Sequence, residues 1–239
     1  MKKYLLLSIA LLSILPSFSQ KIDDPNAELR EAKNFHAISV SNAFDVYISQ
    51  GSEETVAISA AEQKYKDHIK VEVDNGVLRI SFDRDRKFWQ GWNGNKMRLK
   101  AYISFKSIDK LTASGACDVL IQGTLQQENL DINLSGASDM KGKFAVQNLD
   151  VDISGASQMD VTGSAQKLHV EASGASDFKG FDMVTEFCDA EASGASNIHI
   201  TVNKELSAHA SGASDVLYKG SGIVRDVRSS GASSVSKKS

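Results

Sequence analysis

Proline is nearly absent from this 239-residue chain. Its two prolines, Pro16 and Pro25, both lie near the start, so residues 26–239 all keep a backbone N–H. Such a stretch can hold every N–H in a hydrogen-bonded ladder. Cysteine is equally scarce. Cys117 and Cys188 are too few for a disulfide-dense scaffold or a four-thiolate zinc site. An excess of positive charge is also missing: 27 Lys and Arg stand against 30 Asp and Glu, for a net −3. Without Lys2 and Lys3 the balance is 25 against 30, or −5. That is not the electrostatic footprint of a nucleic-acid binder. The motifs HExxH, CxxC, GxSxG, GxGxxG and the Walker loop are all absent. What remains is 41% hydrophobic and 24% charged, the composition of a folded chain rather than a disordered one.

Residues 1–20 read as a secretory signal. Lys2 and Lys3 precede an apolar run from Tyr4 to Leu15, too short to span a bilayer comfortably. Pro16 ends the run, and Ser17 and Ser19 supply small residues for cleavage before Gln20 or Lys21. No cysteine follows, so no lipid anchor is expected, and no second run reaches membrane length. The reading is an exported protein of the periplasm, cell surface or extracellular space, without a transmembrane segment.

A repeat dominates the rest. Ser-Gly-Ala begins at Ser114, Ser135, Ser154, Ser173, Ser193, Ser211 and Ser230, at spacings of 21, 19, 19, 20, 18 and 19. The residues around it alternate. Five before the serine stand Leu130, Leu149, Leu168, Cys188 and Leu206. Three before it stand Ile132, Val151, Val170, Ala190, Ala208 and Val227, and five after it Val119, Met140, Met159, Phe178, Ile198, Val216 and Val235. These positions share one parity and the opposite parity is polar, which means strands. A circuit of about 19 residues at roughly 3.3 Å each suits one coil of a parallel β-helix. The crossover rule makes it right-handed. The rival arrangement is antiparallel, with Ser-Gly-Ala as a hairpin turn. The fold class is thus all-β, a right-handed parallel β-helix with coils of about 19 residues.

The N-terminal half is less regular. Ser41-Asn42-Ala43 reads as a degenerate corner. Val71–Val73, Asp74-Asn75-Gly76 and Val77–Ile80 form a hairpin signal. Ala61–His68 allows a helical turn or two, and Met97–Phe105 alternates as a strand. The expected division is a signal at 1–20, a linker at 21–32, one domain at 33–235 and a tail at 236–239. Within the domain, 33–110 holds irregular opening coils and a protruding hairpin, and 111–235 the repeats.

The segment Val40–Gly51, the Asp74-Asn75-Gly76 hairpin and the serial Ser-Gly-Ala-Ser-Asp corners together resemble a known bacterial family. It is the "putative auto-transporter adhesin, head GIN domain" group, a family of unknown biochemical function. The resemblance covers about residues 35–220. It implies a β-helical surface or envelope protein, with adhesion as the conjecture in the family name. It brings no catalytic residues to transfer. No translocating barrel follows in this chain, so "auto-transporter" does not describe it.

The chemistry-bearing residues are few. The repeated Ser-Gly-Ala serines lack a partnering base, so they read as structural. Asp150-Val151-Asp152-Ile153-Ser154-Gly155 mimics the start of a calcium loop, but Val161 stands where the bidentate glutamate belongs. His169 and His209 lie on the outward parity, two coils or roughly 10 Å apart, and read as solvated rather than as joint metal ligands. Cys117 and Cys188 fall on the inward parity several coils apart, so two free, buried thiols are expected. No catalytic residue, metal or cofactor is expected.

Two surface features invite a binding role. One is an acidic stripe, with Asp150, Asp152, Glu171, Asp189 and Glu191 stacked on the outward columns. It reads either as a solvated face or as a weak site for divalent cations or a basic partner. The other is the segment from Arg84 to Lys96, where Trp89, Trp92 and Phe88 stand with Arg86 and Lys87 among glycines and asparagines. It reads either as a cap on the solenoid or as a contact loop for an extracellular glycan or protein. The functional expectation is a non-enzymatic, exported adhesin or envelope-binding module. The rivals are a polysaccharide-acting β-helix enzyme and a structural spacer.

Overall fold

The computed structural model describes residues 22–83 and 97–238. The expected signal peptide lies outside the described residues, and so does the whole of the tryptophan segment, Trp89 and Trp92 included.

The strands join into one sheet of sixteen. Strand β1 (Glu28–Arg30) falls inside the stretch expected to be linker. The first coil is built from β2 (Ala37–Asn42) and β3 (Asp45–Gln50). Between them Asn42, at φ 89°, takes the corner position that glycine holds later. The chain then leaves the coil through β4 (Thr55–Ser59), a short helix α1 (Gln63–Lys66), the hairpin β5 (Ile69–Asp74) and β6 (Val77–Phe82), and β7 (Lys100–Phe105). Asn75 and Gly76 turn that hairpin with φ of 49° and 76°, both positive as a type I′ turn requires.

The hairpin does not protrude. Strand β6 lies parallel beside β2, with Ala37 opposite Val77 and Val40 opposite Ile80. Leu78, Ile80 and Phe82 are buried, so their apolar face holds the hairpin against the core. Strand β7 lies parallel beside β3, and β4 runs antiparallel to β7 with β1 antiparallel to β4. The excursion thus adds a further layer over the first coil. Asp24 ties the N-terminal segment down: the Tyr102 hydroxyl donates to its carboxylate at 2.9 Å, and Lys100 stands 3.6 Å away.

The chain rejoins the solenoid at β8 (Lys110–Gly115), parallel to β2 with Ser41 opposite Ser114. Five long strands follow: β9 (Asp118–Gly136), β10 (Asp139–Ile153), β11 (Gln158–Ala172), β12 (Asp177–Ala192) and β13 (Asn197–Gly212). Each is parallel to the next, so the antiparallel alternative is excluded. The last coil is β14 (Asp215–Lys219), β15 (Ile223–Gly231) and β16 (Ser234–Lys237), with β15 exposed along most of its length.

The register stacks like on like. Leu130, Leu149, Leu168, Cys188 and Leu206 face one another coil by coil, and so do Met140, Met159, Phe178 and Ile198. All are 5% exposed or less. Where the columns before the corner shrink to Ala190 and Ala192, the same coil supplies Phe178 and Met183, so volume is conserved around the circuit. Coil lengths vary mostly on the return side, with one further shift at Leu206–Ser207 on the strand leading into a corner. Register shifts fall at Lys141–Lys143, Asp160–Thr162 and Gly180–Val184, while the corners stay aligned.

The corners stack first through backbone. Ala156 N–H donates to Gly136 O, Ala175 to Gly155 and Ala195 to Gly174, each at 2.7 Å. A Cβ on Gly174, at φ 76°, would lie 2.5 Å from Gly155 O. One further column supports each corner. Ser138, Ser157, Ser176, Ser196 and Ser214, three residues after the corner serine, are all but fully buried. The Ser196 hydroxyl lies 2.9 Å from both Ala172 O and Ser193 O, and accepts the Ser193 N–H at 3.1 Å. In the first Ser-Gly-Ala corner Cys117 holds this place, its thiol 3.4 Å from Ser114 O.

Two stability predictions follow from the corners. Gly174→Val puts a branched side chain against a backbone oxygen at positive φ, for a loss of about 1–3 kcal/mol. Exposed Ala175→Ser should stay within about 0.5 kcal/mol of the parent. Equal denaturant midpoints for the two variants would show that the corner does not require glycine. Ser196→Ala removes the acceptor of a backbone N–H, and should cost about 1–3 kcal/mol by the same measurement. An unchanged midpoint there would make the serine ladder dispensable.

Candidate functional site

On the strand leading into each corner, the outward residues form two columns. One runs Asp131, Asp150, His169, Asp189, Ser207, Asp226. The other runs Asn133, Asp152, Glu171, Glu191, His209, Arg228. Neighbours in a column sit about 4.8 Å apart, so carboxylates here repel unless something stands between them.

The histidines stand between them. His169 and His209 were expected to be solvated, but they are only 36% and 32% exposed and each bridges carboxylates. His169 Nε2 lies 3.1 Å from Glu171 and its Nδ1 3.8 Å from Asp189. His209 Nε2 lies 3.3 Å from Asp226 and its Nδ1 3.8 Å from Glu191. Parity put both rings outward, and their place in columns of aspartate and glutamate was the available signal for the pairing. Burial works against protonating His169, but the Glu171 hydrogen bond with Asp150 and Asp189 outweighs it and raises its pKa. Burial, then Glu171, Asp150 and Asp131, raise the Asp152 pKa as well. Basic residues close both ends of the stripe: Lys110 pairs with Asp131 at 2.7 Å, and Arg228 with Asp226 at 2.9 Å.

Beside the second column runs a groove of about 650 Å³ that crosses five coils. Asp152, Glu171, Glu191, His209 and Arg228 form one wall, and the corner serines Ser154, Ser173, Ser193, Ser211 and Ser230 the other. The groove is therefore regular along its length, with a hydroxyl and a charged group offered at each coil. The charge changes sign along it, from Asp152 to Arg228. Sequence reasoning found the acidic wall but missed the serine wall. The corner serines read as structural for want of a partnering base, and only the three-dimensional corner brings them beside the stripe.

Other residues carry no chemistry of this kind. Asp150 and Asp152 flank buried Val151, which is strand alternation rather than a calcium loop. Among the described residues no three His, Cys, Asp or Glu side chains gather so as to hold a metal ion. Both thiols are free and buried, and burial raises their pKa values, which suppresses the thiolate. The expected contacts Trp89, Trp92, Phe88, Arg86 and Lys87 lie outside the described residues. Their segment begins just after β6 and ends just before β7, the strands that flank the first corner. No helix among the described residues is long and apolar enough to cross a membrane.

These features define a parallel β-solenoid whose coils of about 19 residues present a continuous polar face. The chain belongs to the family described as "Putative auto-transporter adhesin, head GIN domain", whose family model matches residues 34–222. It is an adhesin-like, surface-associated bacterial module. Similar solved structures include a "putative adhesin" from Bacteroides fragilis, at 20% identity and a TM-score of 0.80 over 89% of this chain and 96% of that one. A "putative adhesin" from Parabacteroides merdae aligns at 17% identity and a TM-score of 0.70, over 89% and 95% of the two chains. A "Putative lipid binding protein" from Parabacteroides distasonis aligns at 19% identity and 0.63, over 90% and 98%. At these identities the likeness shows the shared fold. No curated protein matches the sequence.

The stripe predicts a pH dependence of defined sign. A raised pKa on His169 or Asp152 means that the folded chain binds more protons than the unfolded one, so stability falls as pH rises through those values. The His169 contribution is complete below the ordinary histidine value of about 6.5 and is lost above it. Carboxylates held low by their partners, such as Glu186 beside Lys204 and Asp226 beside His209, titrate below this window. The melting temperature should therefore decline between about pH 6.5 and pH 8, above the range in which His199, held low, acts with the opposite sign, and His169→Gln should flatten the decline. A rise over the same interval would contradict the pairing.

Proposed function

We propose that this chain is a non-enzymatic, exported binding module that holds an extended extracellular glycan along the solenoid axis. The observation that supports this reading is the groove of about 650 Å³ between the serine wall and the Asp152–Arg228 wall. A polyhydroxylated chain needs many modest hydrogen-bonding partners at regular intervals, not one deep pocket. Carboxylates accept from sugar hydroxyls, and serines both accept and donate. The walls lack the large apolar surface that a folded protein partner uses as an anchor. The negative middle of the groove disfavours polyanions, so a neutral or amine-bearing glycan fits it best. A catalytic role would require two carboxylates at a defined separation across a cleft. Here the acids stand in a single file on one wall.

The test is a glycan array probed with the mature protein, with and without calcium. Ser173→Gln with Ser193→Gln narrows the groove, and Glu171→Gln with Glu191→Gln removes two of its three carboxylates. Each pair should lower binding at least tenfold while the melt stays near that of the parent. Trp89→Ala with Trp92→Ala, read in parallel, separates this site from the tryptophan segment. If only the tryptophan pair abolishes binding, the contact lies in that segment and the groove reading is wrong.

A further inference from the structure

Past the corner, on the strand that leads away from it, the last coils gather a different set of groups. Phe181 lies at the return-side bend where the β12–β13 register slips, and its carbonyl accepts the Thr201 hydroxyl at 2.8 Å. The His199 ring stacks on the Phe181 ring with centroids 4.7 Å apart and planes within 4°. Two ammonium groups also sit over that ring, Lys219 Nζ at 4.6 Å and Lys238 Nζ at 4.7 Å. They are therefore no more than about 9 Å from each other. Lys219 lies opposite Thr201 in the parallel register, and Lys238 N–H donates to Tyr218 O one coil further on. Lys179 stands opposite His199 on the preceding coil, its ammonium 2.7 Å from the Gln158 amide oxygen.

We propose that Lys219, Lys238 and His199, gathered around Phe181, form a binding site for an oxyanion of the sulfate or phosphate ester class. Lys179 on the neighbouring strand adds to the positive field at His199. Three observations carry the proposal. First, none of the three lysines forms an ion pair with a described carboxylate, in a chain whose acidic side chains outnumber its basic ones. Unpaired like charges this close repel, and an anion between them removes that repulsion. Secondly, the ammoniums are already gathered. The Lys219 and Lys238 ammoniums both lie over the ring, which attracts them without consuming a hydrogen-bond donor. Thirdly, the donors come from consecutive coils, so several N–H groups are offered side by side within one patch. That arrangement matches the three free oxygens of a sulfate or phosphate ester better than the two of a carboxylate. Asp177 is the acid that opposes the site electrostatically, and its carboxylate is occupied by the Asn197 amide at 2.8 Å. Burial first, then Lys238 and Lys179, hold His199 below the usual histidine range. A bound anion reverses the lysine contribution, so His199 reports on occupancy.

The site is on the other side of the corner from the groove, and its test is independent of that reading. The His199 ring protons, assigned with His199→Gln, are followed by NMR as inorganic sulfate is added against chloride at equal ionic strength. Sulfate should give a saturable shift and raise the His199 pKa, and chloride should not. Lys219→Gln with Lys238→Gln should remove the response while the melt is unchanged. If that pair perturbs the melt, exposed Lys238→Gln alone serves, with a response weakened at least threefold. An equal effect of chloride, or an unaltered response in these variants, overturns the proposal. Two further arms identify the source. Binding to a heparin-derived hexasaccharide at least tenfold tighter than to its desulfated form assigns the anion to a glycan. Binding to phosphatidylglycerol vesicles in place of the hexasaccharide assigns it to a lipid headgroup. Binding to neither, with no sulfate response, leaves no site.

Discussion

The hydrogen bond from each corner alanine to the glycine of the previous coil governs this molecule. At 2.7 Å it leaves no room for a side chain between successive corners, and it fixes the coil-to-coil distance on that edge. Everything else takes its position from it. The inward leucine, methionine and alanine columns align because the corners align, and the outward columns align for the same reason. Charge and hydroxyl groups are therefore repeated at one interval along the solenoid, whether or not each repetition serves the chain. The carboxylate stack is the cost of that regularity. Histidine at two positions and basic groups at both ends reduce it.

The repeats were legible because glycine and parity speak directly to geometry. Leu130, Leu149 and Leu168 recur at one offset from Gly136, Gly155 and Gly174, as stacked coils require, and the parallel register excludes the antiparallel rival. The acidic columns were legible for the same reason. The N-terminal excursion was not, since β4 against β7 and β6 against β2 are pairings between distant segments with no shared motif. Alternation in Val77–Phe82 showed a strand, but not which strand it would join. Ser196 and its equivalents have the inward parity of Leu and Val, but nothing in the spacing says which backbone groups a buried hydroxyl there would meet. Its burial is explained only by the three backbone groups it serves.

The functional sites divide along the same line. The acidic wall of the groove follows from spacing, whereas the serine wall depends on how the corner bends. The Phe181 cluster was out of reach of any spacing argument, because it forms where the register slips. Irregularity on the return side is confined to short stretches such as Gly180–Val184, and there side chains escape the columns and meet partners that the repeat does not provide. Regular faces give this solenoid repeated, modest contacts, and its breaks give it individual ones.

The orientation of the ladder bonds has a mechanical meaning. In this solenoid the N–H···O=C bonds between coils point along the long axis, and the covalent chain runs around it. A pull from one end to the other therefore loads the bonds between two coils side by side, and the weakest junction yields first. Among the described residues the thinly covered junction is that of β15, where Val224 and Val227 are only partly covered. A load borne across the axis is instead carried by the backbone of each coil. A tether on the flank of the rod will thus hold where one at its C-terminal tip unwinds, one coil at a time.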